Sequence, residues 1–401
     1  MTAWTHGRRL GVVVLLVLAA VAGLVLALGA AGSTRPGPFY AIPRPLPRGP
    51  AGTLIRAQAI PNLYPGAKAY RVLYKTTGLD RGPAVASGVV VVPEGPAPRG
   101  GRAVVAFAHG TVGVARDCAP SLRTSGAGQF IEGLGQFIAA GDIVAATDYT
   151  GLGTPGPYAY LSGPVAAMNV IDIVRAARRL HDVHASAAFA VWGHSEGGQA
   201  ALFTAQLAAS YAPGLHLVGA AAGAPVPEPA KLFRVNSATA GGKLLLSMAL
   251  TAWERAFADP SMLDVVAPSS REAANAIAQR CLYGKEGASL AAEASPIVLV
   301  SNPPWRSEPW RRILAEATPG GRPISVPVLL IQGGADKIVP PALTERLARG
   351  LCAAGTTVEL RLYPAVEHAE AGIVASPDVA TWIAGRFAGT QPPSTCGAAS
   401  R

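Results

Sequence analysis

The sequence is poor in charged residues, in aromatic residues and in cysteine. Only 14% of its 401 residues are charged and 50% are hydrophobic, which excludes a disordered chain and fits a well-buried globular fold. The net charge of +10 is scattered along the chain, without a basic stripe and interleaved aromatics, so nucleic acid is not an expected partner. No Cys-x-x-Cys spacing occurs, and we expect no metal and no organic cofactor.

A long uncharged stretch lies near the N-terminus. It runs from Leu10 to about Ala31, after the basic residues Arg8 and Arg9. Its length approaches the roughly 20 residues that span a bilayer, whereas small residues in LGAAGS are compatible with cleavage. Residues 1–34 are therefore predicted to be a signal peptide or a retained membrane anchor. The chain is expected to be exported, and either secreted or anchored to the outer face of the cytoplasmic membrane.

The few cysteines fit this prediction of export. Their number is even, which in an exported chain indicates disulfide bonds. The four are Cys118, Cys281, Cys352 and Cys396. Their spacing alone leaves the pairing open.

Two stretches of the remaining chain alternate between strand-like and helix-like segments. Residues 35–52 come first and are rich in proline, which predicts a linker or arm. In residues 53–224 a predicted hairpin is followed by the apolar runs AVVAFAHG, DIVAATDY, AFAVWGHS and HLVGAAAG, with helical stretches between them. This alternation predicts an α/β fold with a mostly parallel sheet flanked by helices. Residues 326–401 resume it, with PVLLIQGGAD, a helix, TVELRLYP and a closing helix.

The alternation is interrupted between these two stretches. Residues 225–325 contain helix-like pieces broken by prolines and glycines, with PIVLV as the single candidate strand. We predict that this segment is a mainly helical cap, inserted over the carboxyl edge of the sheet.

A serine bracketed by glycines follows one of the apolar runs directly. Residues 193–197 read GHSEG and match Gly-x-Ser-x-Gly, in which small residues permit a strained strand-to-helix turn that exposes the serine. The match alone is weak in a chain with 46 glycines, but a strand before it and a long helix after it are what this turn requires. A serine hydroxyl needs a base, an acid to orient that base, and donors for the oxyanion. Ser195 is the predicted nucleophile.

The acid and the base follow from chain order, which in the α/β-hydrolase fold is nucleophile, acid, histidine. Asp336 comes directly after the buried strand PVLLIQGGA, and His368 is the only histidine beyond it. We predict that Asp336 is the acid and His368 the base. A turn or capping aspartate and a surface histidine are the alternatives, and Glu367 is the only nearby substitute acid.

Two backbone N–H groups are predicted to hold the oxyanion. One belongs to Glu196 and the other to Thr111, with Gly110 as the fallback because loop registers can shift by one. Since a backbone donor does not depend on its side chain, the Glu196 carboxylate is expected to be a solvated or helix-N-terminal charge. Asp148, at a strand end, is expected to be a buried aspartate that fixes the following YTGLG loop.

Taken together, these features resemble the secretory lipase family of α/β-hydrolases. The resemblance rests on AHGTVGVARDCAPS, ATDYTGLGTPGPYAYL, GHSEGG, IQGGADKIVPP and YPAVEHAE, in this order, and covers residues 53–390. It implies a lipase or esterase with the predicted triad, and a cap that encloses an acyl tunnel. It also implies the disulfides Cys118–Cys281 and Cys352–Cys396. A fungal member of the family has an aspartate in the first oxyanion loop, where this chain reads His-Gly-Thr.

The sequence therefore predicts a serine carboxylic-ester hydrolase that cleaves hydrophobic esters or lipids through an acyl-enzyme on Ser195. The apolar cap, with KLLLSMAL among its segments, favours a hydrophobic substrate. Two alternatives stay open: an acyltransferase that uses the same triad on envelope lipids, and a non-catalytic envelope-binding protein on a hydrolase scaffold. Acyl length, leaving group and oligomeric state are not predicted.

Overall fold

The computed structural model describes residues 35–123, 127–259, 262–283 and 286–397. The predicted signal peptide or membrane anchor, residues 1–34, lies outside them. Within these ranges no helix has both the length and the apolar character that crossing a membrane requires.

A single sheet runs through the described chain. Its strands are β1 (Leu54–Ile60), β2 (Ala67–Thr77), β3 (Pro83–Pro93), β4 (Arg102–Ala108), β5 (Ile143–Thr150), β6 (Ala185–His194), β7 (His216–Gly223), β8 (Val328–Gly333) and β9 (Val358–Tyr363). Their order is β1-β2-β3-β5-β4-β6-β7-β8-β9. The pairs from β1 to β5 are antiparallel, and the pairs from β5 through β4 to β9 are parallel. The predicted mostly parallel sheet and the predicted hairpin of β2 and β3 are confirmed.

Helices cover both faces of this sheet. They are α1 (Leu134–Ala140), α2 (Gly163–Ala177), α3 (Glu196–Tyr211), α4 (Pro229–Asn236), α5 (Ala240–Ala256), α6 (Met262–Val265), α7 (Arg271–Ala278), α8 (Glu286–Ala294), α9 (Trp310–Glu316), α10 (Pro341–Ala353) and α11 (His368–Phe387). Successive residues of β4 point to opposite faces, as strand geometry requires. Val104 and Ala106 belong to the core that α2 and α3 share, whereas Val105 and Phe107 belong to the core of α1 and α11.

Two local features differ from the sequence-based expectation. Strand β1 was not predicted, because it is a partly exposed edge strand without a continuous apolar run. The candidate strand PIVLV forms only an isolated bridge, between Val266 and Val300, since the surrounding chain offers it no sheet edge to join.

The proline-rich segment before β1 is packed against the fold. Tyr40, in a short 3-10 helix, is buried, and its hydroxyl lies 2.8 Å from the Ser121 hydroxyl. Further along, the Lys75 ammonium donates to the carbonyls of Pro47 and Gly49, at 3.0 and 2.6 Å. The segment is therefore a docked arm and not a free spacer.

Helices α4 to α9 lie between β7 and β8, in the segment for which a helical cap is predicted. Their interior contains the buried indoles of Trp253 and Trp310, with ring centroids 6.2 Å apart. A disulfide between Cys118 and Cys281 joins this segment to the loop after β4. A second disulfide, Cys352–Cys396, joins α10 to the C-terminal tail.

Candidate active site

Ser195 occupies a sharp turn between β6 and α3. Its backbone has φ 58° and ψ −118°, a conformation that costs a non-glycine residue free energy. Glycines on either side permit the turn: a Cβ added to Gly193 would lie 2.3 Å from the Gly197 carbonyl oxygen, and one on Gly197 would lie 1.9 Å from that of Ala108. The Ser195 N–H donates to the Gly223 carbonyl at 2.8 Å, which ties the turn to β7. The side chain thereby stands at the carboxyl edge of the sheet.

The structure brings the three predicted triad residues together. His368 Nε2 lies 2.9 Å from the Ser195 hydroxyl oxygen, and His368 Nδ1 lies 2.7 Å from Asp336 Oδ2. Asp336 follows β8, and His368 is the first residue of α11. The Asp336 carboxylate also accepts the backbone N–H groups of Ile338 and Val339, both at 2.8 Å. The imidazole is thus held between a hydroxyl and an oriented carboxylate.

The charges of the acid and the base are set by burial and by these contacts. Burial by itself would raise the pKa of Asp336, but hydrogen bonds from His368, Val339 and Ile338 outweigh it and hold that pKa below its usual value. Burial lowers the pKa of His368, and the neighbouring Asp336 carboxylate only partly compensates. An ionised aspartate therefore faces a neutral imidazole at neutral pH.

The loop after β4 lies against the nucleophile. A Cβ added to Gly110 would be 3.7 Å from the Ser195 Cβ and 3.2 Å from the His194 carbonyl oxygen. Next to it, the Thr111 hydroxyl lies 2.8 Å from the Tyr160 hydroxyl. The loop that carries Gly110 and Thr111 therefore approaches Ser195 at Gly110, and the oxyanion donors stay a prediction.

The side chain of Glu196 lies at the N-terminus of α3, which is one of the two expectations, but it is not the solvated charge that the other describes. It is only 2% exposed, and its carboxylate accepts a hydrogen bond from the Tyr158 hydroxyl. Burial raises the pKa of Glu196 to about 8, against the opposing effect of the Tyr158 and Thr111 hydroxyls. No sequence pattern other than the tyrosines of PYAYL indicated this burial.

A buried ion pair behind the base was not predicted. His194 Nδ1 lies 3.2 Å from Glu132 Oε1, and both side chains are largely buried. Burial would lower the pKa of His194, but the Glu132 carboxylate outweighs it, so that pKa is raised. Because Glu132 belongs to a loop far from His194 in sequence, no local pattern indicated this contact.

Asp148 is buried, as expected, and its carboxylate bonds to β3 and to the loop after β4. The Ser87 hydroxyl donates to it at 2.5 Å and the Ser121 backbone N–H at 2.9 Å. The carboxylate reaches the YTGLG loop, which it was predicted to fix, through the Ser87 hydroxyl, 3.5 Å from the Leu152 carbonyl oxygen. Within the described ranges, no group of histidine, cysteine and carboxylate side chains is arranged to hold a metal ion.

A strained serine at a strand-to-helix turn, with a histidine and an aspartate from the following strands of a mostly parallel sheet, defines an α/β-hydrolase. The secretory lipase family model matches residues 130–291 and 313–395. The chain belongs to the secretory lipase family, and it is an enzyme of the lipase and esterase class.

Individual relatives agree with the family assignment. The chain is 27% identical to the secreted triacylglycerol lipase LIP7 of Malassezia globosa over 361 residues, which cover 82% of this chain and 73% of the relative. It is 23% identical to a Mycobacterium tuberculosis protein named "Probable inactive lipase MT1628", with 88% and 82% covered. Membership of a secretory family, together with a secreted relative, supports export.

Solved structures show the same fold. Candida antarctica lipase A in its closed state superposes with a TM-score of 0.74 at 22% identity, over 90% of this chain and 88% of that one. The rice cell wall degrading esterase LipA of Xanthomonas oryzae superposes with a TM-score of 0.65 at 18% identity, over 84% and 98%.

Proposed function

We propose that this protein is a serine carboxylic-ester hydrolase that cleaves hydrophobic acyl esters through an acyl-enzyme on Ser195. The observation that carries the proposal is the continuous hydrogen-bonded series from the Ser195 hydroxyl through His368 to Asp336, at 2.9 and 2.7 Å. In this series a neutral imidazole is placed to take the serine proton, and a carboxylate is placed to stabilise the imidazolium that forms.

In the acylation half of the reaction, the Ser195 oxygen attacks the ester carbonyl carbon while His368 Nε2 takes its proton. The carbonyl oxygen becomes an oxyanion, which the N–H groups of Glu196 and Thr111 receive; Gly110 is the alternative second donor. One such donor is worth about 10²–10³ in rate. The ester C–O bond then breaks, and His368 returns the proton to the departing alcohol.

In the deacylation half, water loses a proton to His368 and attacks the acyl carbon. The second oxyanion is held at the same two N–H groups, and its collapse breaks the bond to Ser195. The carboxylic acid leaves, and the proton passes from His368 back to the serine oxygen. No cofactor takes part in either half.

Hydrophobic esters suit the apolar composition of the predicted cap. The cap helix α5 is built on Leu244, Leu246, Met248 and Leu250, all of which are buried, and a relative at 27% identity is named a triacylglycerol lipase. For the exported enzyme we propose either release or retention on the outer face of the cytoplasmic membrane through residues 1–34. Mass spectrometry of the N-terminus of the mature protein distinguishes the two.

The test of the proposed function is hydrolysis of p-nitrophenyl esters from acetyl to palmitoyl by the full-length chain, with Ser195→Ala as the blank. We expect hydrolysis to fall in the variant by about 10³-fold or more, and the optimum chain length to report the depth of the acyl site. Labelling of Ser195 by a fluorophosphonate provides an independent readout.

Two other outcomes are distinguishable. Equal rates in both proteins, with no fluorophosphonate labelling, would favour a non-catalytic envelope-binding protein. The mycobacterial relative is named a probable inactive lipase, which is consistent with this alternative. Transfer of the acyl group to an added alcohol at the expense of free acid would indicate an acyltransferase that uses the same three residues.

A further inference from the structure

Glu196 carries a backbone N–H proposed for the oxyanion and, on the same residue, a buried carboxyl group. It is the first residue of α3 and follows Ser195 directly. The Tyr158 hydroxyl donates to this carboxyl. The Thr111 hydroxyl and the Leu161 backbone N–H also face it, and Leu161 adopts a positive φ of 57°. A strained residue therefore helps to enclose an acidic group beside the nucleophile.

A series of polar contacts leads from the neighbourhood of this carboxyl to the cap, and the second carboxyl oxygen, Oε2, is buried without a hydrogen-bond partner among the described residues. The Thr111 hydroxyl, which faces Glu196, lies 2.8 Å from the Tyr160 hydroxyl. The Tyr160 carbonyl accepts the indole N–H of Trp253, on α5, at 2.5 Å. The proposed oxyanion loop, the loop after β5 and the cap are thus joined at Tyr160, beside Glu196.

The surroundings of this carboxyl disfavour its charge. The ionisable side chains that face it are the phenols of Tyr149, Tyr158 and Tyr160, which are buried and have raised pKa values of their own. No arginine or lysine among the described residues forms an ion pair with it within 4 Å. Burial raises the pKa of Glu196 to about 8, and neither the Tyr158 hydrogen bond nor the helix N-terminus, which both favour the anion, offsets this effect.

We propose that Glu196 is a positioning residue that works as a neutral carboxylic acid. In this form it accepts from Tyr158 and donates a hydrogen bond of its own to the Thr111 hydroxyl, which holds the oxyanion loop in place. When it is ionised, it can only accept hydrogen bonds, and its charge repels the oxyanion that forms nearby. This inference rests on the proposed ester hydrolysis at Ser195.

The first test is the pH dependence of kcat/KM between pH 6 and 10, with the hydrolysis rate of the Ser195→Ala protein subtracted at each pH. We expect the rate of the unaltered protein to fall as pH rises through about 8. Glu196→Gln keeps the shape and the hydrogen-bonding capacity without the ionisation. Whatever its rate at pH 7, it should lose this alkaline limb.

Two further variants sharpen this result. Glu370→Gln removes an exposed carboxylate one turn into α11 and should leave the alkaline limb in place. Tyr158→Phe removes a hydrogen bond that stabilises the ionised form of Glu196, so it should move the limb to higher pH. An alkaline limb that is identical in Glu196→Gln and in the unaltered protein would overturn the proposal.

A second measurement does not depend on catalysis. In infrared difference spectra of the Ser195→Ala protein, a protonated carboxyl gives a C=O stretching band that disappears on ionisation. We expect a band that titrates near pH 8 and is missing after Glu196→Gln; its absence from the Ser195→Ala protein at pH 7 would overturn the proposal. Because this band is independent of turnover, failure of the ester assay alone would count against the proposed function and not against the protonation of Glu196.

Discussion

The rings of His194 and His368 lie 5.0 Å apart, centroid to centroid, with an angle of 39° between their planes. His194 is paired on its other side with Glu132. The Glu132 carboxylate also packs on α11, since a Cβ added to Gly372 would lie 1.9 Å from Glu132 Oε2. A buried ion pair therefore lies next to the proposed base, His368, and the charges of the pair influence the pKa of that base.

Replacing His194 should change the acid limb of the pH–rate profile. The positive charge of His194 lowers the pKa of His368, so His194→Gln should raise that pKa. The base must be neutral to accept a proton, and the half-maximal point of kcat/KM should therefore move to higher pH. The measurement is kcat/KM for a p-nitrophenyl ester from pH 4.5 to 8 at constant ionic strength.

The matched control for this prediction is His181→Gln, which removes an exposed histidine beside Asp182. It should leave the acid limb unchanged. A limb that coincides in the His194 and His181 variants would show that the buried pair has no electrostatic effect on His368.

Asp336→Asn tests which carboxylate orients the base. An amide can no longer stabilise the imidazolium, and kcat should fall by about 10³–10⁴-fold while the fold is retained. Glu367→Gln changes the exposed substitute acid and should alter kcat less than about threefold. Comparable losses in both variants, with circular dichroism unchanged, would reopen the assignment.

The close approach of backbones at the serine turn makes Gly197 intolerant of a side chain. In Gly197→Ala the added methyl would meet the Ala108 carbonyl oxygen at 1.9 Å, so we expect a loss of more than about 3 kcal/mol in unfolding free energy, or failure to fold. Gly214→Ala is the control, because nothing lies within 4 Å of its added Cβ. Its unfolding free energy should change by no more than about 1 kcal/mol. Urea denaturation of both variants measures the difference, and equal stabilities would contradict this reading of the turn.

The two disulfides should differ in their contribution to stability. The Cys118–Cys281 bond closes a loop with a sequence separation of 163 residues, and the Cys352–Cys396 bond closes a loop with a separation of 44. The chain-entropy relation gives about 5 and about 4 kcal/mol respectively. Replacing each pair by serine and measuring urea unfolding should show the larger loss for the first pair. A larger loss for the second pair would mean that strain or residual structure outweighs loop entropy.

The elements that could be predicted from sequence are those whose signal is local. Each parallel strand is an apolar run that ends in a turn. The serine turn is recognisable from its glycines, which are required because backbone atoms occupy the space that a Cβ would need. Strand β1 was not predicted because an exposed edge strand needs no apolar run. The burial of Tyr40 was not predicted because it depends on Ser121, which is far away in the chain.

By itself, the sequence determined the α/β alternation, the serine turn, the order of the three proposed catalytic residues and the family. These follow from spacing along the chain, since strand and helix periods and tight turns are set by near neighbours. Only the tertiary structure decided that Glu196 is buried among phenols and that Glu132 pairs with His194. Desolvation and charge pairing depend on side chains that folding brings together from distant segments, so no local sequence pattern predicts either of them.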